Sequence, residues 1–157
     1  LIIPAGEVLS GVTWASDFPK MDYEIRLEAM RAGGSDFFCG LTFPVNDSFA
    51  SLILGGWGGT VCGISCLDGE DAANNETTTS TNFNNNTWYS VRLRVTKNKL
   101  EAWLDNEQIV NADTKDREIG VRIEVEESRP LGLATFQTTA ALRNISWRKL
   151  AAGGGKN

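Results

Sequence analysis

Twenty acidic side chains and no histidine limit the chemistry open to this chain of 157 residues. Without imidazole there is no histidine triad and no histidine metal ligand, so proton transfer falls to carboxyls. Glu124 and Glu126 stand two residues apart in "EIGVRIEVE". An extended strand would put them on one face, about 6.6 Å apart, as an acid/base pair. A carboxyl that donates a proton must hold it, so its pKa must be raised. Repulsion from Glu126 raises that of Glu124, and Arg122 opposes the shift. Asp36, after "AGGS", is a third candidate, placed at the edge of a cleft. Each has a plainer reading. The glutamates form a cross-strand charge ladder with Arg26, Arg92, Arg94 and Arg122, and Asp36 caps a turn.

Two tryptophans could supply flat binding faces. In "LILGGWGGTVCGIS" Trp57 lies between Gly55, Gly56, Gly58 and Gly59. Glycine inside sheet-forming sequence marks a bend or a close backbone approach. Trp57 then either plugs the end of the fold or offers its ring to a ligand. Trp103 shares an outward face with charged residues, and Arg92 and Arg122 are candidate ligand contacts beside these rings. The polar stretch from Leu67 to Asn86 reads as a long loop. Its Asp68, Asp71, Asn75 and Glu76 are oxygen donors of the kind calcium selects, without EF-hand spacing. Self-capping of the loop is the alternative.

The elements that must position these residues are strands. Tyr23, Ile25, Leu27 and Ala29 alternate with Asp22, Glu24, Arg26 and Glu28. Tyr89, Val91, Leu93 and Val95 alternate with Trp88, Ser90, Arg92 and Arg94, and Leu100, Ala102 and Leu104 with Glu101 and Trp103. The same pattern predicts a strand over 118–126, with Ile119, Val121, Ile123 and Val125 inward. Alternation of period two with one apolar face belongs to antiparallel sheets packed on a core. Asp105-Asn106 reads as a hairpin turn, and the stretches flanking Trp57 as a second hairpin. No stretch keeps a helical period. The expectation is an all-β antiparallel sandwich.

A net charge of −5 argues against nucleic acid as partner. No apolar run approaches the ~20 residues of a membrane span. Residues 1–150 suffice for one domain, and the glycine-rich 151–157 reads as a linker to other domains. The opening residues lack the basic start of a signal peptide. Cys39, Cys62 and Cys66 have no zinc spacing and read as buried hydrophobes. A disulfide from Cys39 remains open for an exported protein. One between Cys62 and Cys66 is disfavoured, since extended residues four apart lie about 13 Å apart.

Several stretches together resemble a known family. "NTWYSVRLRVTKNKLEAWLDNEQIV", "RPLGLATFQTTAALRNISWRKL" and "WASDFPKMDYEIRLEAMRAGGSDFFCGLTFPV" are similar to the strands of the 3-keto-disaccharide hydrolase domain family, with the R-N-I ending the sharpest element. Asp105-Asn106 stands where that family usually has Asn-Gly, and the E-x-D-x-x-E strand of laminarinase-like relatives has no counterpart. The resemblance implies a concanavalin A-like jelly roll, a secreted or periplasmic location and a carbohydrate ligand. It implies glycoside cleavage by hydrolysis or elimination, with Glu124, Glu126 and Asp36 as candidate carboxyls. A non-catalytic carbohydrate-binding or structural module is the alternative.

Overall fold

The computed structural model describes residues 1–151, and the expected linker lies, from residue 152 on, outside them. Among the described residues, strands pair antiparallel throughout and fill two six-stranded sheets. The first sheet runs β1 (Ile2–Ile3), β12 (Thr139–Lys149), β3 (Tyr23–Gly33), β8 (Trp88–Thr96), β9 (Lys99–Leu104) and β10 (Glu107–Asp113). The second runs β2 (Leu9–Thr13), β11 (Gly132–Phe136), β4 (Cys39–Val45), β5 (Ser48–Gly56), β6 (Val61–Ser65) and β7 (Thr79–Ser80).

The alternation read in the sequence sets the packing. Tyr23, Ile25, Leu27 and Ala29 of β3, with their counterparts on β8 and β9, meet Leu41, Phe43, Leu52, Leu54 and Ile64 of the facing sheet in one core. Each of the larger of these side chains, the leucines, isoleucines and phenylalanine, contributes about 1.5–3 kcal/mol on burial. The Tyr23 hydroxyl crosses between the layers and donates to the Pro44 carbonyl at 2.5 Å. Asp105 and Asn106 do form the β9–β10 turn. Their φ angles of 49° and 69° are the pair of left-handed values that a type I′ hairpin needs. Cys39 and Cys62 are buried, Cys66 is half-buried, and all three are free thiols. Burial pushes the Cys39 thiol up to about 12, with the neighbouring Cys62 adding to the shift, so it is an inert core group.

The strand expected over 118–126 is absent. Ile119 makes one isolated bridge to Leu67, and Ile123–Ser128 is a short 3₁₀ helix. This segment straps the outer face of the second sheet on its way from β10 to β11. Its backbone bonds go to a loop rather than to a strand: Cys66 N–H donates to Gly120 O, Gly120 N–H to Cys66 O, and Asp68 N–H to Glu118 O. Val125 is buried, whereas Ile123, expected inward, is 78% exposed.

On the far edge of the first sheet, β12 pairs with β3 along its length but with β1 only at Ala140 and Ala141. A bulge breaks its register between Arg143 and Ser146, with Asn144 at φ 54°.

Candidate functional site

A groove of about 240 Å³ opens on the outer face of the second sheet. Its floor is the outward row of β5 and β6: Ser51, Ile53 and Ser65. Phe37 and Phe136, stacked with centroids 6.2 Å apart, make one wall. The strap makes the other, through Arg122, Glu124 and Val125. Trp57 stands at one end, 45% exposed.

The glycines around Trp57 serve the β5–β6 turn that presents it. Trp57 itself has φ 50°, and Gly58 and Gly59 have φ 91° and 119°, so three successive residues take left-handed backbone. Asp36 holds this turn: its carboxylate accepts from Gly58 N–H at 3.1 Å and from Phe37 N–H at 2.8 Å. Asp36 is therefore both the turn cap and a groove wall. Arg31, buried, grips the same end, donating to Gly59 O at 3.5 Å, Phe83 O at 2.8 Å and Asn85 Oδ1 at 2.5 Å.

The structure brings Asp36, Trp57, Arg122 and Glu124 into one groove and leaves Glu126 out of it. On a 3₁₀ helix, residues two apart diverge, unlike on a strand. Glu126 turns instead toward Arg129, 4.0 Å away. The expected raising of Glu124 is reversed. Hydrogen bonding to Arg122, at 2.9 and 2.7 Å, holds the Glu124 carboxyl below its ordinary range and outweighs partial burial. Arg122 also donates to Asp71 at 2.7 Å, and its guanidinium lies 5.9 Å from the Trp57 ring centre.

The loop oxygen donors are turned to arginine. Asp68 and Glu76 both bind Arg117, and Asp71 binds Arg122. The Asn75 amide donates to the carbonyls of Ile64, Glu70 and Asp71. Among the described residues, no three acidic, cysteine or histidine side chains cluster to hold a metal ion.

Trp103 and Arg92 lie elsewhere, on the outer face of the first sheet. The Arg92 guanidinium covers the Trp103 ring at 3.8 Å. Sequence reasoning missed the centre of this face. Glu24, expected as a solvated outward residue, is only 1% exposed. Its Oε1 accepts from Arg94 at 3.2 and 3.0 Å, its Oε2 from Arg26 at 2.9 Å and Arg148 at 3.3 Å, and Arg92 comes within 3.8 Å. Burial alone would raise its pKa, but the hydrogen bonds from Arg26, Arg94 and Arg148 prevail and lower it. The signal in the sequence was the excess of arginine on the outward positions of β3 and β8. In the second sheet the apolar groove floor and walls, Ile53, Phe37 and Phe136, were also missed, because an outward-facing apolar residue looks like core in a local pattern.

Two antiparallel sheets in this strand order, one of them crossed by a groove, make a concanavalin A-like sandwich. The sequence model of the 3-keto-alpha-glucoside-1,2-lyase-like domain matches residues 9–148, and the chain belongs to that family. No curated protein is significantly similar in sequence. Among solved structures, the carbohydrate binding module CBM66 from Bacillus subtilis superposes with a TM-score of 0.57 at 11% identity, over 92% of this chain and 84% of that one. The Apo Crh5 transglycosylase gives 0.55 at 11% identity, over 95% and 78%. These likenesses are of fold.

Proposed function

We propose that the domain binds a single sugar ring in the groove of the second sheet, as a carbohydrate-binding module of an exported protein. One observation carries this reading. Trp57 offers a half-exposed ring at the end of a largely apolar groove, while the groove's two carboxylates already hold hydrogen bonds to the protein. A flat apolar face with a few polar neighbours is what the apolar side of a sugar ring stacks on. At about 240 Å³ the groove lies below the ~300–1,000 Å³ of drug-sized sites. Hydrolysis by general acid has the least support, because it needs a protonated carboxyl and Glu124 is shifted the other way.

A second reading draws on that same shift. An ionised carboxylate beside a guanidinium suits removal of a proton next to a ketone, the step that a 3-oxo-glycoside needs for elimination. Glu124 would take the C2 proton. The C–H electron pair would become the C1–C2 double bond, the C1–O bond would break, and the departing oxygen would be protonated by the carboxyl just formed. Calorimetric titration with neutral mono- and disaccharides, and a turnover assay on a 3-oxo-glucoside, separate the two readings. Sugar binding without turnover, weakened about 30-fold by Trp57→Ala, supports the module, a loss of about 2 kcal/mol. Turnover abolished in Glu124→Gln supports elimination. A parent that neither binds nor turns over these compounds overturns both.

A further inference from the structure

The outer face of the first sheet carries a charge arrangement that the fold alone does not call for. Reading across the strands, one row is Ser146, Arg26, Arg92 and Trp103, contributed by β12, β3, β8 and β9. Arg26 and Arg92 stand directly opposite one another. Like charges at such a position destabilise a sheet, whereas a ladder built for stability alternates sign. The adjoining row holds Arg148, Glu24, Arg94 and Glu101. Glu24 is thus the one carboxylate to which four guanidiniums turn. Glu101 stands opposite Arg94, so that row alternates in sign, but Glu24 alone faces Arg26, Arg92 and Arg148, which leaves these three with a surplus of positive charge in a protein whose net charge is −5. Glu28 does not remove the surplus, because it is bound by Arg143 at 2.7 Å and Asn144 at 3.2 Å.

The surplus faces open space. A depression of about 470 Å³ lies over the row of Ser146, Arg26, Arg92 and Trp103, lined by Arg26, Arg92 and Trp103 with the polar Ser90, Asn106, Asn144 and Ser146, and by Glu28 at its side. Arg26 and Arg148 meet Glu24 through Nε and keep more than half of their side-chain surface exposed. The Arg92 guanidinium sits over the Trp103 ring, 3.8 Å from its centre, which restricts its movement. A planar guanidinium held in this way pairs best with an oxyanion that can accept two parallel bonds. The geometry points to a second binding site here, on the face opposite the groove, for an acidic saccharide: a sugar chain carrying carboxylate or sulfate. The oxyanion is argued from the arginines. That a sugar carries it rests on the carbohydrate reading above and on the hydroxyl and amide groups around the arginines.

The test is calorimetric titration with galacturonate oligomers, set beside neutral galactose oligomers of equal length, dextran sulfate and inorganic phosphate. The proteins are the parent, Arg26→Gln/Arg92→Gln and Trp57→Ala. The site predicts binding of galacturonate or dextran sulfate by the parent, weakened at least tenfold in the double arginine variant, falling with added salt, and unchanged in Trp57→Ala. Preference between these two polymers assigns the oxyanion as carboxylate or sulfate. Absence of binding to both by the parent overturns the proposal, as does a folded double variant that binds like the parent. Phosphate bound as tightly as the oligomers overturns the saccharide. If melting shows the double variant unfolded, Arg92→Lys decides. It keeps the charge and loses the fork, and unaltered affinity there overturns the site. Loss of neutral-sugar binding in Trp57→Ala concerns the groove alone, so the two readings fail separately.

Discussion

At Glu24 a carboxylate lies buried beneath arginines, and its ionisation ties the stability of the first sheet to pH. Its pKa in the folded chain is lowered from the ordinary value. The stabilisation it contributes is therefore fully present above the usual carboxylate pKa, near 4.3, and is lost as pH falls through the depressed folded value. Thermal melting followed from pH 6 down to pH 2.5 should show a steep acid limb that Glu24→Gln flattens. At pH 7 the same variant should be less stable by about 3–5 kcal/mol, as for other buried ion pairs deprived of one partner. The direction of Glu24 was legible in the sequence and its burial was not. Alternation tells which side of a strand a residue takes, but long arginine side chains arriving from β8 and β12 cover it, and they come from far along the chain. The ionisation expected of Glu124 is reversed for a related reason. The neighbour that decides its ionisation, Arg122, was visible, but the strand geometry that would have brought up Glu126 was not real.

The elements differ in how much of their environment they carry with them. Strands β3, β8 and β9 were legible because each has one apolar face and lies between two partners. The strap over 118–126 has the same local alternation and no partner strand, and period two without a ladder does not make a strand. The β5–β6 turn lies between these cases. Its glycines announced an unusual backbone, and the structure shows where that freedom is required. At Gly58 a Cβ would meet nothing within 4 Å, so Gly58→Ala costs only the strain of its positive φ, about 1–3 kcal/mol. At Gly59 the same atom would come within 2.9 Å of the Ser35 carbonyl oxygen, which lies in backbone. Gly59→Ala should therefore shift the turn and displace Trp57. Differential scanning calorimetry should show a larger loss for Gly59→Ala, and tryptophan fluorescence should change in that variant and hardly in Gly58→Ala.

For the whole molecule, the sandwich was legible and the division of its candidate site residues between two faces was not. Sequence pattern distinguishes inward from outward, but outward from which sheet depends on strand order, a product of long-range pairing. Trp57 with Arg122, and Trp103 with Arg92, consequently fall on opposite sides of the core. Changes on the two faces share no partner, so their effects on stability should add. A protein carrying all three changes should match the loss in Trp57→Ala plus the loss in the double variant Arg26→Gln/Arg92→Gln within about 0.3–0.5 kcal/mol by denaturant unfolding. A larger deviation would mean that the layers communicate through the core.

The bulge at Asn144 bears on how this molecule behaves in a crowd. Beyond Ala141, β12 has no strand on its outer side among the described residues, and a straight strand left so would template a second copy by backbone pairing. The extra residue between Arg143 and Ser146 twists that edge, and Arg148 and Lys149 add charge beside it. Deleting Asn144 would restore an even register while keeping Ser146 opposite Arg26. Light scattering at rising concentration should then reveal self-association that the parent does not show.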